Sequence, residues 1–160
     1  MPEPRKLMIS TVKGTRSSER ILDLYFGYEL DIKRNGIEMN EHLLMVLLVM
    51  AGGAVGALLR FGVSVLFPVP EGIAWNTLAV NFIGCSLITL LFYSMDFDPM
   101  MRALIFVGLF GGFTTMSSVS LETIGLYVSG SWGLAILNFV LNMTACIGGG
   151  ILGKLASVLL

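Results

Sequence analysis

The chain has 160 residues, of which 55% are hydrophobic and only 13% are charged, and its formal net charge is −1. A soluble domain carries about 25% charged residues, so this composition is typical of a membrane protein and argues against a soluble enzyme. The net charge leaves no basic surface for nucleic acid, and two cysteines in apolar stretches do not indicate a disulfide-rich secreted module.

Residues 1–40 form a polar N-terminal extension. They hold seven of the ten Lys and Arg and six of the eleven Asp and Glu. The first long apolar run comes too far after these charges for a signal peptide. We expect the extension to be a disordered tail, or chain that precedes a true translation start at Met39. A cytoplasmic regulatory segment is the alternative. Residues 41–160 then form the functional domain.

Four apolar segments within residues 41–160 are long enough to span a bilayer, which takes about 20 apolar residues. They are predicted at about 43–67, 75–95, 102–129 and 132–159. Pro68 and Pro70 stop the first span, and the run Gly111-Gly112-Phe113-Thr114-Thr115 interrupts the third. The predicted fold class is therefore an all-α membrane protein with four transmembrane helices, the third broken at its centre.

Loop charges predict the orientation in the membrane. The N-terminus, the 96–101 loop and the C-terminus share one side, which carries Arg102, Lys154 and the seven basic residues of the extension. The loops at 68–74 and 130–131 carry no Lys or Arg. With the extension present, both termini are expected in the cytoplasm. Without it the bias is weak enough to permit insertion both ways round.

Several polar side chains interrupt the apolar spans, and each is costly in hydrocarbon. Arg60 follows a small-residue run in the first span, where it either reaches the membrane surface or supplies positive potential to an anion vestibule. Asn81 lies in the second span, with Thr77 and Cys85 on the same face; it is either an interhelical clamp or an ion ligand.

The third and fourth spans carry the most polar groups. The glycine and threonine run is either a kink for packing or a break that exposes carbonyls for ion binding. Thr114, Ser118 and Glu122 follow at four-residue spacing, and the sequence leaves the protonation of Glu122 open. In the fourth span, Asn138 and Asn142 share one face. These stripes indicate a narrow hydrophilic track.

Three motifs resemble the Fluc (CrcB) fluoride channel family over about residues 43–159. They are Gly52-Gly53-Ala54-Val55-Gly56-Ala57 with Arg60 and Phe61, Thr77-Leu78-Ala79-Val80-Asn81 with Gly84, and Gly111-Gly112-Phe113-Thr114-Thr115 with Ser117 and Glu122. The third motif is the most specific. Asn76 stands where the family usually has Gly.

The resemblance implies a passive fluoride channel, not an enzyme, in the cell membrane. Two subunits would pack as an antiparallel, dual-topology dimer, with two pores along their interface. Main-chain oxygens of Gly111 and Thr114 from both subunits would hold a structural Na⁺ at the dimer centre. The amide of Asn81 would donate to fluoride, and the implied pathway comprises Asn81, Met116, Ser117, Ser118, Val119, Glu122, Asn138 and Asn142, with Arg60 at the vestibule. Asn142 and Asn138 stand where Ser and Tyr are usual.

Met116 and Val119 depart from the family pattern, because they replace two phenylalanines whose electropositive ring edges face the anion. A self-sufficient homodimer and a heterodimer whose partner supplies the aromatic rings both remain open. A fixed orientation imposed by the charged extension would suit the heterodimer.

Other classes of protein remain as alternatives. A small multidrug-resistance-type exporter typically needs a Glu in its first span, which this chain lacks. A non-conducting structural subunit would explain the replaced phenylalanines. A proton-coupled fluoride antiporter is usually a much larger chain, and its transport would need an opposing proton.

Overall fold

The computed structural model describes residues 39–69 and 72–159, so the predictions for residues 1–38 and for Pro70 lie outside it. Every regular element of the described residues is helical, and four stretches are long and apolar enough to cross a membrane. The first, second and fourth spans are α1 (Met39–Leu66), α2 (Trp75–Ser94) and α6 (Trp132–Ala156). The third span consists of α3 (Pro99–Arg102), a π-helix (Ala103–Phe110), α4 (Gly111–Phe113) and α5 (Met116–Val128). The prediction of an all-α membrane protein with four transmembrane helices is confirmed.

The outer surface of the spans is apolar. Leu58, Leu121 and Ile136 leave 68%, 76% and 67% of their surface exposed, and many other large apolar side chains do the same. Soluble monomers rarely expose continuous apolar surface of this extent. Lipid tails are as apolar as these side chains, so the surface suits a bilayer.

Helix α1 packs on the π-helix through glycines. The compact unit of the spans begins at Leu44; of the residues before it, the structure describes only the first turn of α1. A Cβ on Gly52 would collide with the carbonyl of Leu104, and one on Gly56 with the carbonyl of Leu109. The two backbones are therefore in direct contact, as the small-residue run in the first span predicts.

Helices α2 and α6 pack along much of their lengths, and α5 packs on α6 beside them. A Cβ on Gly149 would lie 2.6 Å from the carbonyl oxygen of Phe82, and one on Gly153 would collide with the carbonyl of Ser86. Both partners advance by four residues from the first contact to the second, so α2 and α6 run in the same direction. This parallel packing brings the polar positions of the two helices side by side.

The third span breaks at its threonines, later than the glycine-containing run suggests. Thr114 (φ −74°, ψ 155°) and Thr115 (φ −150°, ψ 113°) are extended, whereas Gly111–Phe113 is helical. The glycines serve the packing with α1, since a Cβ on Gly112 would lie 2.5 Å from the carbonyl oxygen of Gly53. The prediction of a central break is confirmed, but its residues are the two threonines.

Hydrogen bonds between side chains and the backbone stabilise the loop before the third span. Asp98 caps α3 by accepting a hydrogen bond from the Met101 amide at 2.9 Å. Arg102 donates from Nε to the carbonyl of Phe97 at 2.8 Å. At the same end of the molecule, the Lys154 ammonium lies 4.6 Å from the ring centroid of Tyr93. Two basic residues thus lie at the end that the loop charges predict to be cytoplasmic.

Candidate functional site

Asn81 holds the backbone of the broken helix. Its Oδ1 accepts from the Thr115 amide at 2.8 Å, and its Nδ2 donates to the Thr115 carbonyl at 3.2 Å. A backbone group buried without a partner costs about 1–3 kcal/mol, and in hydrocarbon no water can replace the lost bond. One side-chain amide therefore satisfies both backbone groups of Thr115, which fits the clamp alternative of the sequence.

The polar track continues from Asn81 to the fourth span. Asn81 Nδ2 also donates to Asn142 Oδ1 at 3.2 Å, and Asn142 Nδ2 donates to the carbonyl of Asn138 at 3.0 Å. Asn138 Nδ2 then donates to Thr123 Oγ1 on α5 at 3.1 Å. Asn138 and Asn142 are fully buried, so this chain of amides fills the space between α2, α5 and α6.

The hydroxyl of Thr115 starts helix α5. Its Oγ1 accepts from the Ser118 amide at 3.1 Å, which is the usual bond of a helix N-cap. The same oxygen lies 3.0 Å from Ser118 Oγ, to which it donates, and 3.1 Å from Ser117 Oγ. Because Ser118 Oγ accepts the Thr115 proton, its own proton is available for another acceptor.

Glu122 is bonded to the second span. Its Oε1 accepts from the Thr77 hydroxyl, while its buried Oε2 has no hydrogen-bond partner in the described part of the chain. Thr77 and Asn81 lie one turn apart on the same face of α2, as their four-residue spacing predicts. The carboxyl group is therefore joined to the track through Thr77.

A polar cavity of about 280 Å³ opens beside these residues. It extends from the end of α1 and the start of α2 to the break in the third span. Arg60 lies in its wall, and its guanidinium forms no hydrogen bond or ion pair with any described residue. The cavity is lined by Ala57, Arg60, Phe61, Ser64, Asn76, Thr77, Val80, Thr115, Ser117 and Ser118. No acidic side chain is among them.

Two carbonyl oxygens at the break lose their usual helical donors. The Thr115 amide, which would bond the Gly111 carbonyl in a continuous helix, donates to Asn81 instead. The Ser118 amide, which would bond the Thr114 carbonyl, donates to Thr115 Oγ1. Gly111 is exposed and Thr114 half-buried. Neutral carbonyl oxygens of this kind are suitable ligands for a hard cation such as Na⁺.

Met116 and Val119, which stand where the resemblance implies two phenylalanines, differ in their surroundings. Met116 is 49% exposed on the outer surface of the chain, whereas Val119 is completely buried. A side chain at position 116 is therefore accessible from outside, while position 119 contributes to the packing of the chain itself.

The structure brings together most of the residues that the sequence singled out. Asn81, Asn138 and Asn142 form one network; Arg60, Ser117 and Ser118 line the cavity with Thr77, which links to Glu122. Thr115 and Thr123 were not predicted as track residues. Side-chain spacing could not predict Thr115, because its backbone amide and carbonyl, and not its side chain, form the bonds with Asn81. Thr123 follows Glu122 directly in the sequence, and only the packing of α5 on α6 brings it to Asn138.

These features define a class of protein: a small four-span membrane protein with a polar cavity that leads to a broken helix. A family model described as CrcB-like protein, Camphor Resistance (CrcB), matches residues 47–154. The chain belongs to the CrcB family.

Curated relatives agree with this assignment. A protein of Magnetococcus marinus named fluoride-specific ion channel FluC is 40% identical over 111 residues, which cover 66% of this chain and 90% of the relative. A protein of the same name from Parabacteroides distasonis is 41% identical over 125 residues, covering 70% and 94%. A third, from Gluconobacter oxydans, is 38% identical over 119 residues, covering 69% and 83%.

Proposed function

We propose that this chain is a multi-pass protein of the cell membrane and forms a fluoride-selective ion channel that lets fluoride leave the cytoplasm passively. It works as a channel and not as an enzyme. The observation that carries the proposal is the cavity: a cation and several hydroxyls line it, none of the described residues that line it is acidic, and it ends at the broken helix. The relatives named fluoride-specific ion channels support the choice of ion.

Fluoride is small and strongly hydrated, so a pore must offer donors that replace water without holding the ion too tightly. Arg60 attracts the anion to the cavity, and its guanidinium, which pairs with no described residue, supports this role. Ser118, whose hydroxyl proton is available, and the exposed Ser117 offer the next donors. Asn81 is assigned to the pathway by the family resemblance, and its amide protons bond Thr115 and Asn142 in the subunit.

The functional unit in this proposal is an antiparallel dimer. The polar cavity of one subunit is open on one side, and a second subunit in the opposite orientation closes it into a pore. The Gly111 and Thr114 carbonyls of both subunits would hold a structural Na⁺ between them. The loss of the helical donors to these two carbonyls supports this ligand set. The positive charge of the ion would attract the carbonyl oxygens of both broken helices.

A second candidate is a partner-dependent subunit of a heterodimeric fluoride channel. Met116 favours it, because this half-exposed side chain stands where the family places an aromatic ring at the pore. A paired homologous subunit would then supply the missing ring edges.

Fluoride efflux from liposomes that contain only this protein tests the proposal. We expect fluoride to leave rapidly, chloride to be retained, and the flux to need no opposing proton gradient. Arg60→Gln is expected to reduce the fluoride flux several-fold, whereas Thr144→Ala is not, since the Thr144 hydroxyl is exposed and bonds its own helix at 2.8 Å.

Four other outcomes contradict parts of the proposal. Efflux that appears only after co-reconstitution with a homologous subunit favours the heterodimer. Flux that requires a proton gradient indicates an antiporter, and transport of organic cations without fluoride indicates an exporter. No fluoride flux with any partner, from folded protein, overturns the assignment of the ion.

A further inference from the structure

We propose that Asn76 is a fluoride-contacting residue at the mouth of the cavity, where its side-chain amide donates to the entering anion beside Arg60. This role rests on the proposed function and adds a specificity-determining residue to it. Because Gly is usual at this position in the family, the contact would be a particular property of this chain.

The geometry of Asn76 holds its amide in one orientation. It is the second residue of α2, and its Oδ1 accepts from the Thr77 amide at 2.7 Å. The first amides of a helix lack partners within the helix, so this bond satisfies one of them. Once Oδ1 is held there, the NH₂ group on the same carbon is also held. That NH₂ group has no hydrogen-bond partner among the described residues.

The surroundings of Asn76 select an anion. Its half-buried side chain lines the same cavity as Arg60, whose guanidinium also has no partner in the described part of the chain. The partial positive charge of the α2 N-terminus acts at the same place. The Thr77 hydroxyl, by contrast, donates to Glu122 and is already used. Of the described α2 side chains that line the cavity, Asn76 is therefore the one with free donors.

The test measures fluoride efflux from liposomes over a range of fluoride concentrations. Asn76→Gly removes the donor, and we expect the half-saturating fluoride concentration to rise about three- to tenfold, the usual effect of losing one hydrogen bond of ordinary strength. Asn76→Asp keeps the oxygen that accepts from Thr77 but replaces NH₂ with an anionic oxygen. It should weaken fluoride entry more than Asn76→Gly.

Asn76→Ser separates a contact with fluoride from a purely structural role. It returns a hydroxyl donor, so part of the wild-type half-saturation should be recovered, while the maximal rate and the thermal midpoint change little in all three variants. Wild-type half-saturation in both Asn76→Gly and Asn76→Asp would overturn the role of Asn76 and leave the channel function standing. Absence of fluoride efflux from the wild-type protein, with any partner, would overturn both.

Discussion

Asn81 illustrates how one side chain makes a helix break possible inside a membrane. Extended backbone at Thr115 leaves an amide and a carbonyl without helical partners, and in hydrocarbon neither can form a hydrogen bond with water. A carboxamide carries a donor and an acceptor side by side, so it bonds both groups at once. Asn142, itself completely buried, accepts the remaining amide proton and holds Asn81 in place.

Asn81→Ala should destabilise the protein and abolish fluoride efflux. The substitution leaves the Thr115 amide and carbonyl without partners, at about 1–3 kcal/mol for each group. Thermal unfolding in detergent measures the first effect, and liposome efflux the second. Thr144→Ala is the matched control, since it removes a polar group from an exposed site. Wild-type stability in Asn81→Ala would show that the clamp is not needed.

Introducing phenylalanine at positions 116 and 119 should affect the free energy of unfolding differently. Met116 is 49% exposed, so Met116→Phe is expected to change the free energy of unfolding by less than about 0.5 kcal/mol. Val119 is completely buried, and Val119→Phe forces extra volume into packed space at about 1–3 kcal/mol. Thermal unfolding of both variants in detergent checks this. Equal stability of the two variants would contradict the buried position of Val119.

At the scale of the helices, glycines decide which faces meet. Lipid tails are as apolar as the helix surfaces, so the hydrophobic effect does little to drive helices together in a membrane. The spans associate instead through close backbone packing and hydrogen bonds. Gly52 and Gly56 let α1 contact the π-helix, and Gly149 and Gly153 let α6 contact α2. The second contact brings Asn142 within hydrogen-bond distance of Asn81. Packing at the glycines thus positions the polar track.

Gly153→Ala should destabilise the protein although alanine favours helices. Its Cβ would collide with the carbonyl of Ser86, a backbone atom that cannot move without separating α2 from α6. We expect a loss of about 1–3 kcal/mol, measured by thermal unfolding in detergent. Gly148→Ala, in the same helix, meets no atom within 4 Å and should be neutral or stabilising. A neutral Gly153→Ala would contradict the close contact.

At the scale of the whole molecule, we expect charge to set the orientation in the membrane. Arg102 and Lys154 lie at one end of the bundle, close to Phe97 and Tyr93 respectively. The seven Lys and Arg of the extension are expected on the same side of the membrane. An antiparallel homodimer needs both orientations of one chain, whereas a heterodimer needs a single orientation for each subunit.

Removal of residues 1–38 should convert a single orientation into a mixture. The remaining loop bias rests on two basic residues and is too weak to select one orientation. Labelling of Ser131→Cys with an impermeant maleimide in intact cells reports the orientation, in a background where Cys85 and Cys146 are serine. Ser94→Cys, at the opposite end, is the control. An unchanged labelling pattern would show that the extension does not direct insertion.

The sequence alone determined the four spans, the all-α class, the broken third span and the family. Each follows from local properties: about 20 apolar residues cross the membrane, and the motifs are short runs around Gly52, Asn81 and Gly111. The loop charges added an expected orientation, which stays a prediction. Most of the site residues were selected as polar groups that membrane spans rarely carry without a reason, and their functional roles stay predictions.

The tertiary structure decided what those residues touch. Asn81 bonds Thr115 and Asn142, which lie 34 and 61 positions away, and no local pattern connects them. The tertiary structure also shows that the helix break lies at Thr114 and Thr115 and that Val119 is completely buried. These results depend on how the spans pack, because a buried polar group takes whichever partner the neighbouring helix brings within hydrogen-bond distance.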